Sequence, residues 1–231
     1  MKIYGLQKTT LLDYPGHVAA TLFTGGCNMR CPFCQNSGLV LHPEEETAMD
    51  ASEVLSFLKK RQGILEGVCI TGGEPTLQPD LEDFIRQVKA LGYLVKLDTN
   101  GYRPRVLEQL LQEKLLDYVA MDIKASKENY GSATGCDTLE LAKIEQSVEL
   151  LKTAGIPYEF RTTVVKGIHR VEEFHAIGVW LQGAKAYFLQ NYRDSEQVMC
   201  PGFAPFDKEE LEQMKCIAQK YVEHVAMRGE E

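Results

Sequence analysis

Short apolar runs rich in β-branched and aromatic residues alternate with segments of helical period along nearly the whole chain. The runs predict strands over 17–24, 68–71, 93–97, 118–121, 158–165 and 186–189, with a short final strand over 224–227. Their interiors carry few charges, the pattern of strands covered on both faces. Between them, Leu81, Phe84, Ile85, Val88 and Leu91 keep the 3.6-residue period of a helix that Gly92 closes. Leu141, Ile144, Val148 and Leu151 repeat it before Gly155, and Val171, Phe174, Ile177, Gly178 and Leu181 before Gly183. Leu211, Met214, Ile217, Ala218 and Tyr221 form a last helix, and 54–58 and 106–111 supply two more. Six βα units in a row predict a parallel α/β sheet with right-handed crossovers. An open doubly wound sheet and a (β/α) barrel both satisfy that pattern. Eight units typically need ~250 residues, so a partial, TIM-like (β/α)6 barrel is the economical expectation for 231 residues. No linker-like or low-complexity stretch divides the chain. A single domain over 1–231 is expected, its barrel core at about 17–193 and a C-terminal helix and tail over 194–231. In such folds ligands gather at the C-terminal ends of the strands, so a chemical motif is tested by whether it follows one.

Composition narrows the classes. Hydrophobic residues make 44% of the chain and charged residues 25%, the balance of an ordinary soluble globule. The formal net charge of −8 disfavours a nucleic-acid partner gripped through its phosphates. No apolar run approaches the ~20 residues that span a bilayer, and the N-terminus lacks the apolar stretch of a signal peptide, so a cytoplasmic protein is expected. Seven cysteines, an odd number, argue against a disulfide framework.

Three of those cysteines, Cys27, Cys31 and Cys34, fall within eight residues, directly after the first strand. Three thiolates in one tight loop would repel one another unless a metal neutralised them. Zinc prefers four ligands, usually as two separated pairs, and His42 is the only nearby histidine. An iron–sulfur cubane normally takes four cysteines, and three would leave one iron open to a substrate or cofactor. Three buried structural cysteines are the third reading.

The loop Gly25-Gly26-Cys27-Asn28-Met29-Arg30-Cys31-Pro32-Phe33-Cys34, C-x3-C-x2-C with an aromatic before the last cysteine, resembles the signature of the radical S-adenosylmethionine enzymes. The resemblance implies one [4Fe-4S] cluster held by Cys27, Cys31 and Cys34, with S-adenosylmethionine chelating the fourth iron and Phe33 lying against the adenine. Thr71-Gly72-Gly73-Glu74-Pro75, after the second strand, is similar to the segment in which that family binds the methionyl ammonium, which implicates Gly72, Gly73 and Glu74. Asp98 and Thr99 end the third strand. They read as a helix cap or, by the resemblance, as neighbours of the methionyl or ribose group. Asp122 and Lys124 share a face at the end of the fourth strand. They read as a salt bridge or, by the resemblance, as the place where Lys124 meets the methionyl carboxylate. Arg161 on the fifth strand reads equally as a cofactor-binding residue, by the resemblance, or as a structural ion pair. At the end of the sixth strand related activases can carry a histidine. Here Asn191 or Tyr192 stands near that place, and the resemblance implies that one of them, Asn191 first, takes over its contact with the cofactor. Cys69 reads as core, and Cys136, Cys200 and Cys216 as single thiols outside any cluster.

Leu6–Pro15, the cysteine loop and the tail CPGFAPF together are similar to the activating proteins of anaerobic ribonucleoside-triphosphate reductase. That resemblance implies reductive cleavage of S-adenosylmethionine at the cluster, and use of the 5′-deoxyadenosyl radical to remove a hydrogen from a glycine of the partner enzyme. It further implies an electron donor such as flavodoxin or ferredoxin and an anaerobic setting. The alternatives are activation of a pyruvate formate-lyase-type enzyme, radical chemistry on a small molecule, or a non-catalytic iron–sulfur or zinc module.

Overall fold

A computed structural model of the chain describes residues 1–229. In chain order run β1 (Lys2–Ile3), β2 (Gly5–Thr10), β3 (Ala19–Thr24), α1 (Ser37–Leu41), β4 (Met49–Asp50), α2 (Ala51–Lys60), β5 (Gly67–Gly72), α3 (Leu81–Ala90), β6 (Leu94–Thr99) and α4 (Pro104–Gln112). β7 (Tyr118–Asp122), α5 (Tyr130–Thr134), α6 (Leu141–Thr153), β8 (Tyr158–Val164), α7 (Glu173–Trp180), β9 (Ala186–Asn191), α8 (Lys208–Ala218) and β10 (His224–Arg228) follow. They form two compact units: residues 1–28 with 38–120, and residues 29–37 with those from Met121 onward.

In the first unit β3, β5 and β6 are parallel neighbours, with Thr24 level with Gly72 at the top of β3 and β5. Ala19, Ala20 and Leu22 on β3 and Val68, Cys69 and Ile70 on β5 are fully buried. That is why these strands read as unbroken apolar runs. Helices α3 and α4 cover them with Leu81, Phe84, Ile85 and Val88, and with Leu107 and Leu110. Pro104 opens α4 at a position that has no intrahelical amide bond to lose. β2 pairs antiparallel with β3 across an irregularity between Gln7 and Thr10. The periodicity does not predict β2, because Gln7, Lys8 and Thr9 are exposed polar residues, the guise of an edge strand.

In the second unit β8, β9 and β10 are parallel neighbours. The short final strand expected over 224–227 is thus present, one residue longer. Ile144, Val148 and Leu151 of α6, Phe174 and Ile177 of α7, and Leu211 and Met214 of α8 are buried against this unit. The last helix starts earlier than its apolar spacing suggests. A reciprocal cap sets its start: Glu210 N–H donates to Asp207 Oδ1 at 2.9 Å, and Asp207 N–H donates to Glu210 Oε2 at 3.1 Å. Trp180 is buried edge-on to Tyr130 with centroids 5.8 Å apart.

Candidate functional site

In the first unit the chain leaves β3 through Gly25 and Gly26 into Cys27 and Asn28. Gly73 lies so close to this exit that a Cβ there would collide with the Gly26 carbonyl, and Gly72 has φ +112° beside Thr24. Both positions therefore need glycine. Gly73 N–H donates to Thr24 O at 2.9 Å and Glu74 N–H to Gly26 O at 2.8 Å, which zips the two strand ends together. The Glu74 carboxylate is buried and accepts from Thr76 N–H (3.1 Å), Thr76 Oγ1 (2.5 Å), Thr99 Oγ1 (2.7 Å) and Asn100 N–H (2.7 Å). Burial pushes its pKa up against these donors.

Thr99 is thereby used on Glu74, and the helix-cap reading of Asp98 and Thr99 fails because α4 begins only at Pro104. Asp98 pairs with Lys96, two residues back on the same face of β6, and the Cys69 thiol lies 3.7 Å from the same carboxylate oxygen. Lys96 is itself buried. Cys69 is core, as expected, but core with a polar neighbour. Asn100, which carries no chemistry in the sequence reading, donates from Nδ2 to Asn28 Oδ1 at 2.8 Å and lies 3.8 Å from Cys27 Sγ. Its position just after a strand end is the signal that could have found it.

In the second unit Cys31 and Phe33 are buried and Cys34 is half-buried. Cys34 N–H turns back to Cys31 O at 3.0 Å, and Arg30 N–H donates to Thr134 O at 2.8 Å. Lys124 Nζ reaches Asp122 Oδ2 at 2.9 Å and Arg161 Nε reaches Asp122 Oδ1 at 3.0 Å. The salt bridge and the Arg161 ion pair that the sequence allows are therefore one group of three. Burial alone would raise the Asp122 pKa, but the two cations outweigh it and hold it at about 2. Burial would likewise lower the Lys124 pKa, but Asp122 and the neighbouring Cys31 thiol raise it. Lys124 stays charged beside a cysteine of the loop. The Asn191 side chain turns away to the tail, donating to Phe206 O at 2.8 Å and accepting from Phe206 N–H at 3.0 Å. Tyr192 is buried and donates to Asp194 Oδ1 at 2.8 Å.

His169 is a further residue with no signal in the sequence. Its buried ring accepts from Val165 N–H at Nδ1 (3.1 Å), lies 2.8 Å from Lys124 O through Nε2, and packs edge-on to Phe33 at 6.3 Å between centroids. With Nδ1 accepting, Nε2 carries the proton and the ring is neutral. Burial lowers its pKa, against the Lys124 carbonyl and the Glu173 charge. A base with a lowered folded-state pKa contributes stability that is complete above its unfolded value of about 6.5 and declines as pH falls below it. Below that pH the wild type is expected to lose up to about 1.4 kcal/mol per pH unit relative to His169→Gln. Urea unfolding of the cluster-free protein between pH 5 and 7.5 measures this, and parallel curves would refute it.

Among the described residues, none of the seven cysteines is in a disulfide. The donor set suits an iron–sulfur cluster: soft thiols in a glycine-flanked loop, with a lysine ammonium beside one of them to offset thiolate charge. His42, the histidine nearest in sequence, faces Glu44 at 3.5 Å on the surface.

Residues 21–177 match the family model described as the Radical SAM superfamily. The chain is 34% identical, over 98% of its length and 95% of the other, to a Methanocaldococcus jannaschii protein whose name, itself inferred, is glycyl-radical enzyme activating enzyme. It is also 34% identical to a Thermococcus kodakarensis protein named, again by inference, GTP 3′,8-cyclase, over 63% of this chain but 47% of that protein. Among solved structures, Streptococcus suis SuiB aligns with a TM-score of 0.71 at 15% identity, over 90% of this chain and 48% of SuiB. The anSMEcpe structure with bound AdoMet aligns with a TM-score of 0.63 at 18% identity, over 89% of this chain and 61% of the other. These likenesses bear out the expected fold class, a parallel α/β partial barrel. With a matching model over most of its length and a relative matched nearly end to end, the chain belongs to the radical SAM superfamily, enzymes that work with a [4Fe-4S] cluster and S-adenosylmethionine.

Proposed function

We propose that this enzyme generates a glycyl radical on an anaerobic ribonucleoside-triphosphate reductase, in an anaerobic cytoplasm, with flavodoxin or ferredoxin as electron donor. The near end-to-end likeness to the Methanocaldococcus jannaschii protein supports activation of a glycyl-radical enzyme, and Leu6–Pro15 with the CPGFAPF tail supports the reductase as its partner. Cys27, Cys31 and Cys34 are the protein ligands of the cluster. When bound, the cluster and S-adenosylmethionine supply one-electron chemistry that ends in removal of a hydrogen atom from a glycine Cα.

The chain's own residues bind, orient and exclude water. Lys124 meets the methionyl carboxylate, held charged and in place by Asp122, which Arg161 grips from the other side. Phe33 meets the adenine, its ring held by the T-shaped contact with His169. Gly72 and Gly73 bring backbone oxygens close to the methionyl ammonium. Glu74, whose carboxylate already takes four donors, fixes the turn that presents them. Asp98 keeps its place beside the methionyl or ribose group, steered by Lys96. Near-contact geometry is needed for hydrogen abstraction, so the partner's glycine loop must enter the site.

Mixing the reduced, cluster-loaded protein and S-adenosylmethionine with candidate partners tests this reading. A glycyl-radical signal by electron paramagnetic resonance is expected on the reductase and not on a pyruvate formate-lyase-type enzyme. If S-adenosylmethionine is cleaved while no glycyl-radical enzyme gains a radical, the activase reading falls. The likeness to the Thermococcus protein supports a second reading, a small-molecule substrate, which consumption of GTP would favour.

A further inference from the structure

The tail between β9 and α8 carries no helix or extended strand, yet it is pinned at two places. Its base is held where Asn191 grips both backbone groups of Phe206, and where Lys166 N–H donates to Ala204 O at 2.9 Å. Its tip lies along the second half of the cysteine loop. Met199 N–H donates to Cys34 O at 3.0 Å and Cys200 N–H to Pro32 O at 2.8 Å. In the other direction Gln35 Nε2 donates to Arg193 O and Ser37 Oγ to Gln197 O, both at 2.6 Å. Two bonds thus run from tail to loop and two from loop to tail.

This pairing answers a problem that the loop sets by itself. Residues Cys31–Asn36 form no regular element, and Cys34 N–H to Cys31 O is a single turn bond. Thiols that must present a fixed geometry to a metal need a backbone held from outside. The tail fixes the carbonyls of Pro32 and Cys34, the residues that flank Phe33. It does so from a segment whose own base is tied to β9, a sheet strand.

We propose that residues 193–200 are a latch on the cluster loop, with Gln35 and Ser37 as positioning residues that keep Cys31 and Cys34 presented and so slow loss of the cluster. The latch rests on the ligand assignment proposed above. It gives the tail sequence a role that binding of S-adenosylmethionine does not require.

The test is the rate at which anaerobically reconstituted protein surrenders iron to a ferrous chelator, followed by the cluster's visible absorbance. Gln35→Ala/Ser37→Ala and, independently, Met199→Pro are expected to release iron about tenfold faster than wild type, the scale of one to two lost hydrogen bonds. Ser37→Thr, which keeps the hydroxyl, is expected to release iron at the wild-type rate. In the cluster-free protein, amide exchange at Met199 and Cys200 should be slow in wild type and faster in the double variant. Wild type that loads about four irons, with variants that release them no faster, overturns the latch and leaves the ligand assignment standing. Wild type that takes up no cluster overturns both.

Discussion

Cys31→Ala is expected to abolish cluster assembly and, with it, all cleavage of S-adenosylmethionine. A cubane already short of one protein ligand has no reserve, so two cysteines cannot hold what three hold with one iron open. Cys31 is the most deeply placed of the three, and its thiol is close enough to Lys124 to raise that lysine's pKa. Loss of the thiolate therefore removes both a metal ligand and part of the field that keeps Lys124 charged. Fold stability should change little, by about 1 kcal/mol, because the side chain lost is small. Iron and sulfide content after anaerobic reconstitution should fall from about four per chain to below about one, and 5′-deoxyadenosine should not form after reduction. Cys200→Ala and Cys216→Ala, which remove exposed thiols, should keep both. A Cys31→Ala protein with a full cluster and normal cleavage would overturn the ligand assignment.

The cysteine triplet stands out in a bare sequence because metal chemistry demands a residue type at a spacing. The strands were legible for a similar reason: β3 and β5 are buried on both faces, and only apolar residues satisfy that. β2 was not, since an edge strand exposed to water has a polar sequence that reads as loop. Lys96 hides for the opposite reason. A buried ammonium is tolerated only beside its carboxylate, and Asp98 is recognisable as that partner only once both lie on one strand face. Asn100 and His169 act through contacts whose partners are distant in sequence or lie on a backbone group, and no spacing rule records such contacts. Asn191 shows the limit of carrying a role over by position: it stands at the expected strand end, but its amide faces the tail.

Arg228→Met is expected to cost the fold about 3–5 kcal/mol, the penalty for removing one partner of a buried ion pair. Glu159 on β8 is fully buried, and Arg228 on β10 meets it with both guanidinium nitrogens, at 2.5 and 2.6 Å. Between them, Phe188 of β9 lies under the guanidinium at 3.8 Å from its ring centre. The arginine thus ties the last strand to the strand beyond its neighbour, and its flat fork suits a carboxylate as a lysine would not. Methionine keeps the length and the contact with Phe188 but leaves the Glu159 charge in the interior without its cation. Glu159→Gln should cost less, about 1–2 kcal/mol, because the arginine is partly exposed and can turn to water. The double variant Glu159→Gln/Arg228→Met should recover most of the loss, since an absent pair leaves no stranded charge. Denaturant unfolding of the four proteins closes a double-mutant cycle. A coupling below about 1 kcal/mol would mean that backbone pairing between β9 and β10, and not the ion pair, holds the final strand in place.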